Sequence, residues 1–186
     1  MAAPGKNGRS VLWRSRHLIF VTVGSQEPFD RLVGAVDEWA AQRDRSDIFA
    51  QIGKATYVPK HMRFTDFLDP LEFKRVVEEA RLVVAHAGIG SILSSLELGK
   101  PIVVMPRRAT FREQRNDHQI ATAECFERQG RIIVAYETEA LAEKLDYALT
   151  LERSEGIPTQ ASSQLIHNIR SFLTGRLAPE DLRLKQ

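Results

Sequence analysis

"LVVAHAGIGSILSSLELGKPIVVM", residues 82–105, decides how this chain is built. Its first four residues form an apolar, β-branched run of the length of a buried strand. Gly88 and Gly90 interrupt that run, and a helix-period stretch follows. Gly99 and Pro101 stop the helix before a second apolar run, residues 102–105. Strand, glycine turn, helix and strand in this order place two parallel strands side by side, joined by a helical crossover. Glycines at a strand-to-helix junction also let a backbone approach a phosphate closely.

The same alternation runs through most of the chain. Residues 17–23, 47–52 and 131–135 read as further short buried strands, with a weaker one at 63–67. Phe29, Leu32, Val33, Val36 and Ala40 recur at helical spacing, and Pro28 suits the start of that helix. Asp69, Pro70 and Glu72 provide a capping residue, a first-turn proline and an acid three residues on, so a helix should begin there. Residues 138–149 and 160–173 have the pattern of two more helices. The expected architecture is α/β, a doubly wound Rossmann-like parallel sheet with helices on both faces. There is no internal repeat. Residues 1–16 read as a basic tail, 17–150 as the nucleotide-type domain, and 151–186 as a polar connection, a C-terminal helix and a tail.

The chain has 186 residues, enough for one domain with a real core. A hydrophobic fraction of 43% and a charged fraction of 27% are ordinary for a globular protein. The net charge of +2 is too small to argue for a nucleic-acid partner. Cys125 has no second cysteine to pair with, which fits a reducing compartment. No apolar run approaches the length that crosses a membrane. Lys6, Arg9, Arg14 and Arg16, without an acid, suit either a disordered tail or a weak anchor on an anionic surface with Trp13 at the interface.

In a doubly wound sheet, ligands bind at the carboxyl ends of the strands, where the strand order switches. Three stretches should fall there. In "TVGSQEPFDRL", residues 22–32, Gly24 can take dihedrals closed to other residues, and Ser25 and Gln26 precede a helix. Ordinary turn and capping chemistry suits the same residues. In the second stretch, Gly88 and Gly90 open the loop beside His86 and Ala87, and Ser91 can cap the helix or bind a phosphate oxygen. The third glycine of the dinucleotide fingerprint is missing, and the motif follows the fourth strand rather than the first. The third stretch, residues 105–123, leaves a strand through an arginine-rich loop. Arg107, Arg108, Arg112 and Arg115 could face a diphosphate or another acidic group. Asn116, Asp117, His118 and Gln119 could grip sugar hydroxyls, or simply cap the next helix.

Other chemistries lack their residues. The five histidines are scattered, the one cysteine has no partner, and no metal-ligand spacing occurs, so no metal is expected. Walker-type and nucleophile-elbow motifs are absent.

Taken together, "FVTVGSQEPFDRL", "AHAGIGSILSSLELGKPIVVMPR" and "EQRNDHQIATA" resemble the C-terminal, nucleotide-sugar-binding domain of glycosyltransferase family 28. The likeness is to its free-standing small subunits, including those of dolichol-linked oligosaccharide, exopolysaccharide and capsule synthesis. It covers roughly residues 17–149. The resemblance implies one half of a GT-B fold, with the acceptor-binding half on a separate membrane-anchored subunit. It further implies a UDP-sugar donor and a lipid-diphosphate-linked acceptor. No further cofactor and no nucleic acid are implied, and the location is the cytoplasmic face of a membrane, reached through the partner.

By position, the resemblance puts Gly24 and Ser25 near the diphosphate, and His86, Ala87, Gly88, Gly90 and Ser91 at the phosphates. Asn116, Asp117, His118 and Gln119 fall near the sugar. Several relatives carry a ribose-holding acid on the helix after the glycine loop. Ser94 stands at that position here, and Glu97 is the nearest acid. The reaction implied is inverting hexosyl transfer without a metal, active only with the partner. The base would come from the partner, with His118 and His86 as weaker candidates. A stabilising subunit without catalysis, or another Rossmann-type enzyme, are the competing expectations.

Overall fold

A computed structural model of the chain describes residues 17–152 and Gly156. The basic tail at 1–16 and the helix expected at 160–173 lie outside the described residues. The strands are β1 (Ile19–Thr22), β2 (Ile48–Gln51), β3 (Arg63–Thr65), β4 (Leu82–His86), β5 (Ile102–Met105) and β6 (Ile133–Val134). The helices are α1 (Asp30–Gln42), α2 (Pro70–Glu79), α3 (Ile89–Glu97), α4 (His118–Arg128) and α5 (Thr138–Ala148). All strand pairs are parallel, in the order β3-β2-β1-β4-β5-β6. The order therefore switches between β1 and β4, where Thr22 is in register with Ala85.

Every residue of β1, β2 and β5 is buried, which explains why these strands read as continuous apolar runs rather than alternating ones. Ile19, Val21, Ile48, Ala50, Leu82 and Val84 join one core with Leu32, Val36 and Trp39 of α1 and Leu141 and Leu145 of α5. Phe20 points to the opposite face, where its ring meets Phe73 of α2 edge-on at 5.4 Å and Phe49 at 6.2 Å. The expected cap of α2 is present in full. Asp69 accepts from the amides of Leu71 and Glu72 at 2.8 and 2.9 Å, and Glu72 reaches back to the Asp69 amide.

One crossover departs from strict strand–helix alternation. The chain passes from β2 to β3 through residues 52–62 without a helix. Two carboxylates of α1 hold this loop instead. Asp30 accepts from the Thr56 amide at 2.8 Å, the Thr56 hydroxyl at 2.5 Å and the Tyr57 amide at 3.1 Å. Asp37, buried on α1, accepts from the Tyr57 hydroxyl at 2.8 Å and from the amides of Lys60 and His61 at 3.0 and 2.7 Å. Burial pushes both carboxyls up, but the converging donors outweigh it and hold both below the usual carboxylate value.

Candidate functional site

The carboxyl edge of the sheet opens into a cleft of about 770 Å³ at the β1/β4 switch point, a volume that suits a nucleotide-sized ligand. All three polar stretches contribute to it: Gly24, Ser25 and Gln26 from the first, His86, Gly88, Gly90 and Ser91 from the second, and Arg107, His118 and Gln119 from the third. Ser94 also lines the cleft, whereas Glu97, Asn116 and Asp117 do not. Ala87 is buried behind the loop.

The glycine loop is built differently from what its sequence suggests. Gly88, not Ser91, is the N-cap of α3; Ser91 lies inside the first turn, where its carbonyl accepts from the Ser95 hydroxyl. The first-turn amides have no acceptor within the helix, the turn holds no acid, and the dipole places partial positive charge there. The two outer glycines serve a neighbouring ring. A β-carbon at position 88 would overlap Nε2 of His86 and lie 2.9 Å from Cδ2, and one at position 24 would lie 2.9 Å from Cε1. Gly24 in addition has φ +79°, a left-handed conformation that favours glycine. The imidazole therefore sits in a slot between the β1 turn and the α3 cap. At Gly90 a β-carbon would meet nothing within 4 Å, so this glycine alone leaves its space to the cleft.

Burial, and then the charge of Arg107, pull His86 down to about 4, against a smaller opposing pull from the Thr22 carbonyl. The ring is neutral at pH 7, with one N–H donor and one acceptor. Its Nδ1 is buried and meets no hydrogen-bond partner.

Of the four arginines of the third stretch, Arg107 lines the cleft, and its guanidinium is taken up by backbone carbonyls. Arg107 is 2% exposed, and its terminal nitrogens donate to the carbonyls of Val23 (2.8 Å), Glu27 (2.7 Å), Pro28 and Glu113 (3.4 Å). Its guanidinium lies 4.6 Å from the Phe29 ring centre. Arg31 follows on the same ring at 5.3 Å and on Phe111 at 5.1 Å, while bonding both oxygens of Glu113 at 2.8 Å. Arg108 stacks 6.0 Å from Phe111 and bonds Glu137 at 2.6 Å. Cations and rings thus alternate across two loops, and the arginines build the wall of the site. Arg112 has φ +58° and, like Arg115, lies outside the cleft lining.

The stretch expected near the sugar is also divided. The Asp117 carboxylate accepts from the Ala109 amide at 2.8 Å, steadying the short 3-10 turn Ala109–Phe111. Gln119 is 4% exposed, and its amide oxygen accepts from the Arg107 backbone N–H at 3.1 Å. His118 is exposed at the cleft. It receives an N–H from Gln114 at 2.9 Å and is bonded to Asn116 Oδ1. No carboxylate orients it in the way a strong general base requires.

A fourth wall went unread in the sequence: Gln51 at the end of β2, with Phe67, Leu68, Pro70 and Phe73. Gln51 donates to the Gly24 carbonyl at 3.2 Å and accepts from the Leu68 amide at 3.1 Å, locking the β1 turn to the start of α2. A glutamine closing the apolar run "IFAQ" was the available signal. Phe67, 61% exposed, gives this wall an apolar rim. Among the described residues, no helix is long and apolar enough to cross a membrane, and no three His, Cys, Asp or Glu side chains group as metal ligands.

A parallel sheet in this order, with an anion-suited helix start at its switch point, defines a Rossmann-like α/β domain of the kind that forms one half of a GT-B enzyme. The chain belongs to the glycosyltransferase family 28 C-terminal domain, whose model matches residues 18–171. Among curated relatives it is 36% identical over 123 residues to the UDP-N-acetylglucosamine transferase subunit ALG13 of Mus musculus, covering 61% of this chain and 10% of that protein. The chain thus spans about a tenth of the length of this mammalian relative. Among solved structures, the glycotransferase of kitacinnamycin aligns with a TM-score of 0.54 at 21% identity, over 93% of this chain and 43% of that one. An NMR structure of ALG13 aligns with a TM-score of 0.52 at 22% identity, over 84% and 94%.

Proposed function

We propose that this chain is the donor-binding subunit of an inverting, metal-independent glycosyltransferase that takes a hexosyl group from a UDP-sugar. The observation that carries this reading is the first turn of α3, whose unpaired amides meet the cleft through Gly90. The acceptor hydroxyl attacks the anomeric carbon, and the bond from that carbon to the UDP oxygen breaks. The proton leaves to a base, and the electron pair stays on the departing diphosphate. Amides and dipole at the start of α3 stabilise that charge, and such preorganised donors are worth about 3–4 kcal/mol each in other enzymes. Arg107 acts on this site through the wall it builds. We assign the base and the lipid-diphosphate-linked acceptor to a membrane-anchored partner that holds this chain at the cytoplasmic face. The exposed His118, bonded to the side-chain amides of Gln114 and Asn116 and to no carboxylate, supports that division of labour. The subunit relationship named for the mouse relative supports it too, and makes UDP-N-acetylglucosamine the first donor to test.

Calorimetry separates the candidate ligands. UDP is expected to bind with a Kd roughly in the micromolar to millimolar range typical of enzyme substrates, and NAD not to bind. Binding of NAD without UDP would overturn the donor reading. The chain alone is expected to transfer little sugar and to gain activity with its membrane partner; strong transfer by the isolated chain would refute the division between two chains.

A further inference from the structure

Arg107 is a buried cation whose two terminal nitrogens reach from the end of β5 across to the turn that follows β1. They donate to the carbonyls of Val23, Glu27 and Pro28, and the guanidinium carbon lies over the Phe29 ring, 4.6 Å from its centre. The backbone of Arg107 is itself held by Gln119. Burying a guanidinium is unfavourable unless its donors are satisfied, and here carbonyls from two loops satisfy them. The turn it grips presents Gly24, Ser25 and Gln26 to the cleft. A single lysine ammonium lacks the planar fork needed to span these carbonyls together.

We propose that Arg107 is a positioning residue for the donor. It fixes the shape of residues 23–28 and thereby sets how tightly a UDP-sugar is held, through the turn rather than through its own bonds to the diphosphate. The proposal rests on the donor reading above. A second effect follows from charge. Arg107 is the cation that acts on His86, whose ring is otherwise bounded by Gly24, Gly88 and the Thr22 carbonyl, with Glu27 and His118 lining the same cleft. Burial does most to keep the imidazole neutral, and the fixed cation adds to it by disfavouring a second positive charge there.

The test uses the full chain, UDP as the probe and the His86 ring signal in NMR. In the wild type, UDP binds and His86 titrates near 4. Arg107→Gln is expected to weaken UDP binding on the order of 10- to 100-fold, as misplaced binding groups do. It should also raise the His86 midpoint, with burial of the ring, the larger cause, still holding it below the ordinary value. Arg107→Lys keeps the charge but not the fork, so the affinity should fall while the midpoint stays low. Lost affinity in the glutamine variant with an unmoved His86 midpoint would overturn the proposal in favour of a merely structural role. Wild-type affinity in both folded variants would overturn it outright. Should the glutamine variant not fold, unchanged affinity in the lysine variant is enough to refute it. Failure of the wild type to bind UDP refutes the donor reading itself, and it is visible before any variant is made.

Discussion

Gly88→Val is expected to weaken UDP binding by roughly 100-fold, the scale of a misplaced binding group. The backbone at position 88 is ordinary, with φ −85° and ψ 132°, so the penalty is not conformational. It comes from His86, whose ring occupies the space a side chain would need. The ring cannot retreat, because the other side of its slot is closed by Gly24. Either the imidazole swings into the cleft or the start of α3 moves away, and both disturb the amides that face the ligand. Overpacking of this kind costs about 1–3 kcal/mol in stability. Gly90→Ala is the contrasting variant. Its methyl meets no protein atom, and losing a helical glycine should raise stability by about 0.5–1 kcal/mol. A phosphate drawn to that turn would meet the methyl, so affinity should still fall. Calorimetry and thermal melts on both variants check this pattern of opposite stability and parallel binding. Unchanged UDP affinity in both would sink the phosphate-loop role.

Asp37→Asn should cost about 1.5–3 kcal/mol, the range for hydrogen bonds to a charged group. The carboxylate collects a hydroxyl and two amide donors, with Nδ1 of the His61 ring 3.4 Å away, and a carboxamide would turn its own N–H₂ toward them. The loop at 52–62 has no helix of its own to fall back on. The pH dependence has a definite sign. Asp37 and Asp30 are both held below the ordinary carboxyl value of 3.8, so their contribution is complete above that pH. It is lost as the pH falls through the lower folded values. Thermal melts of the wild type should therefore drop steeply in acid below about pH 4, and those of Asp37→Asn less steeply. A variant melting like the wild type at neutral pH would refute the anchoring role.

Local signals were legible in the sequence and long-range ones were not. The β4–α3–β5 unit follows from its apolar runs and glycine punctuation, and the α2 cap from three residues within one turn. The site's location follows from strand order. The bonds of the arginines were not legible because their partners lie elsewhere in the chain: Arg107 bonds carbonyls of the β1 turn, and Arg108 bonds Glu137. Gln51 shows locally only as a polar residue closing an apolar run, and its two partners, the Gly24 carbonyl and the Leu68 amide, lie far away in the sequence. The helix-free crossover was invisible because its anchors, Asp30 and Asp37, look like ordinary polar-face residues of α1. The strand expected at 131–135 shrinks to Ile133–Val134, since at the sheet edge only β5 is there to pair with it.

The imidazole slot ties positions 86 and 88 into one unit of sequence variation, while Gly24 is also required by its left-handed backbone. A chain of this fold with a side chain at position 88 should have a smaller residue at position 86. Gly88→Ala, harmful beside His86, should become nearly neutral beside His86→Ala. His86 and Gly88 then change together or not at all, and Gly88 marks the presence of a ring as much as that of a phosphate.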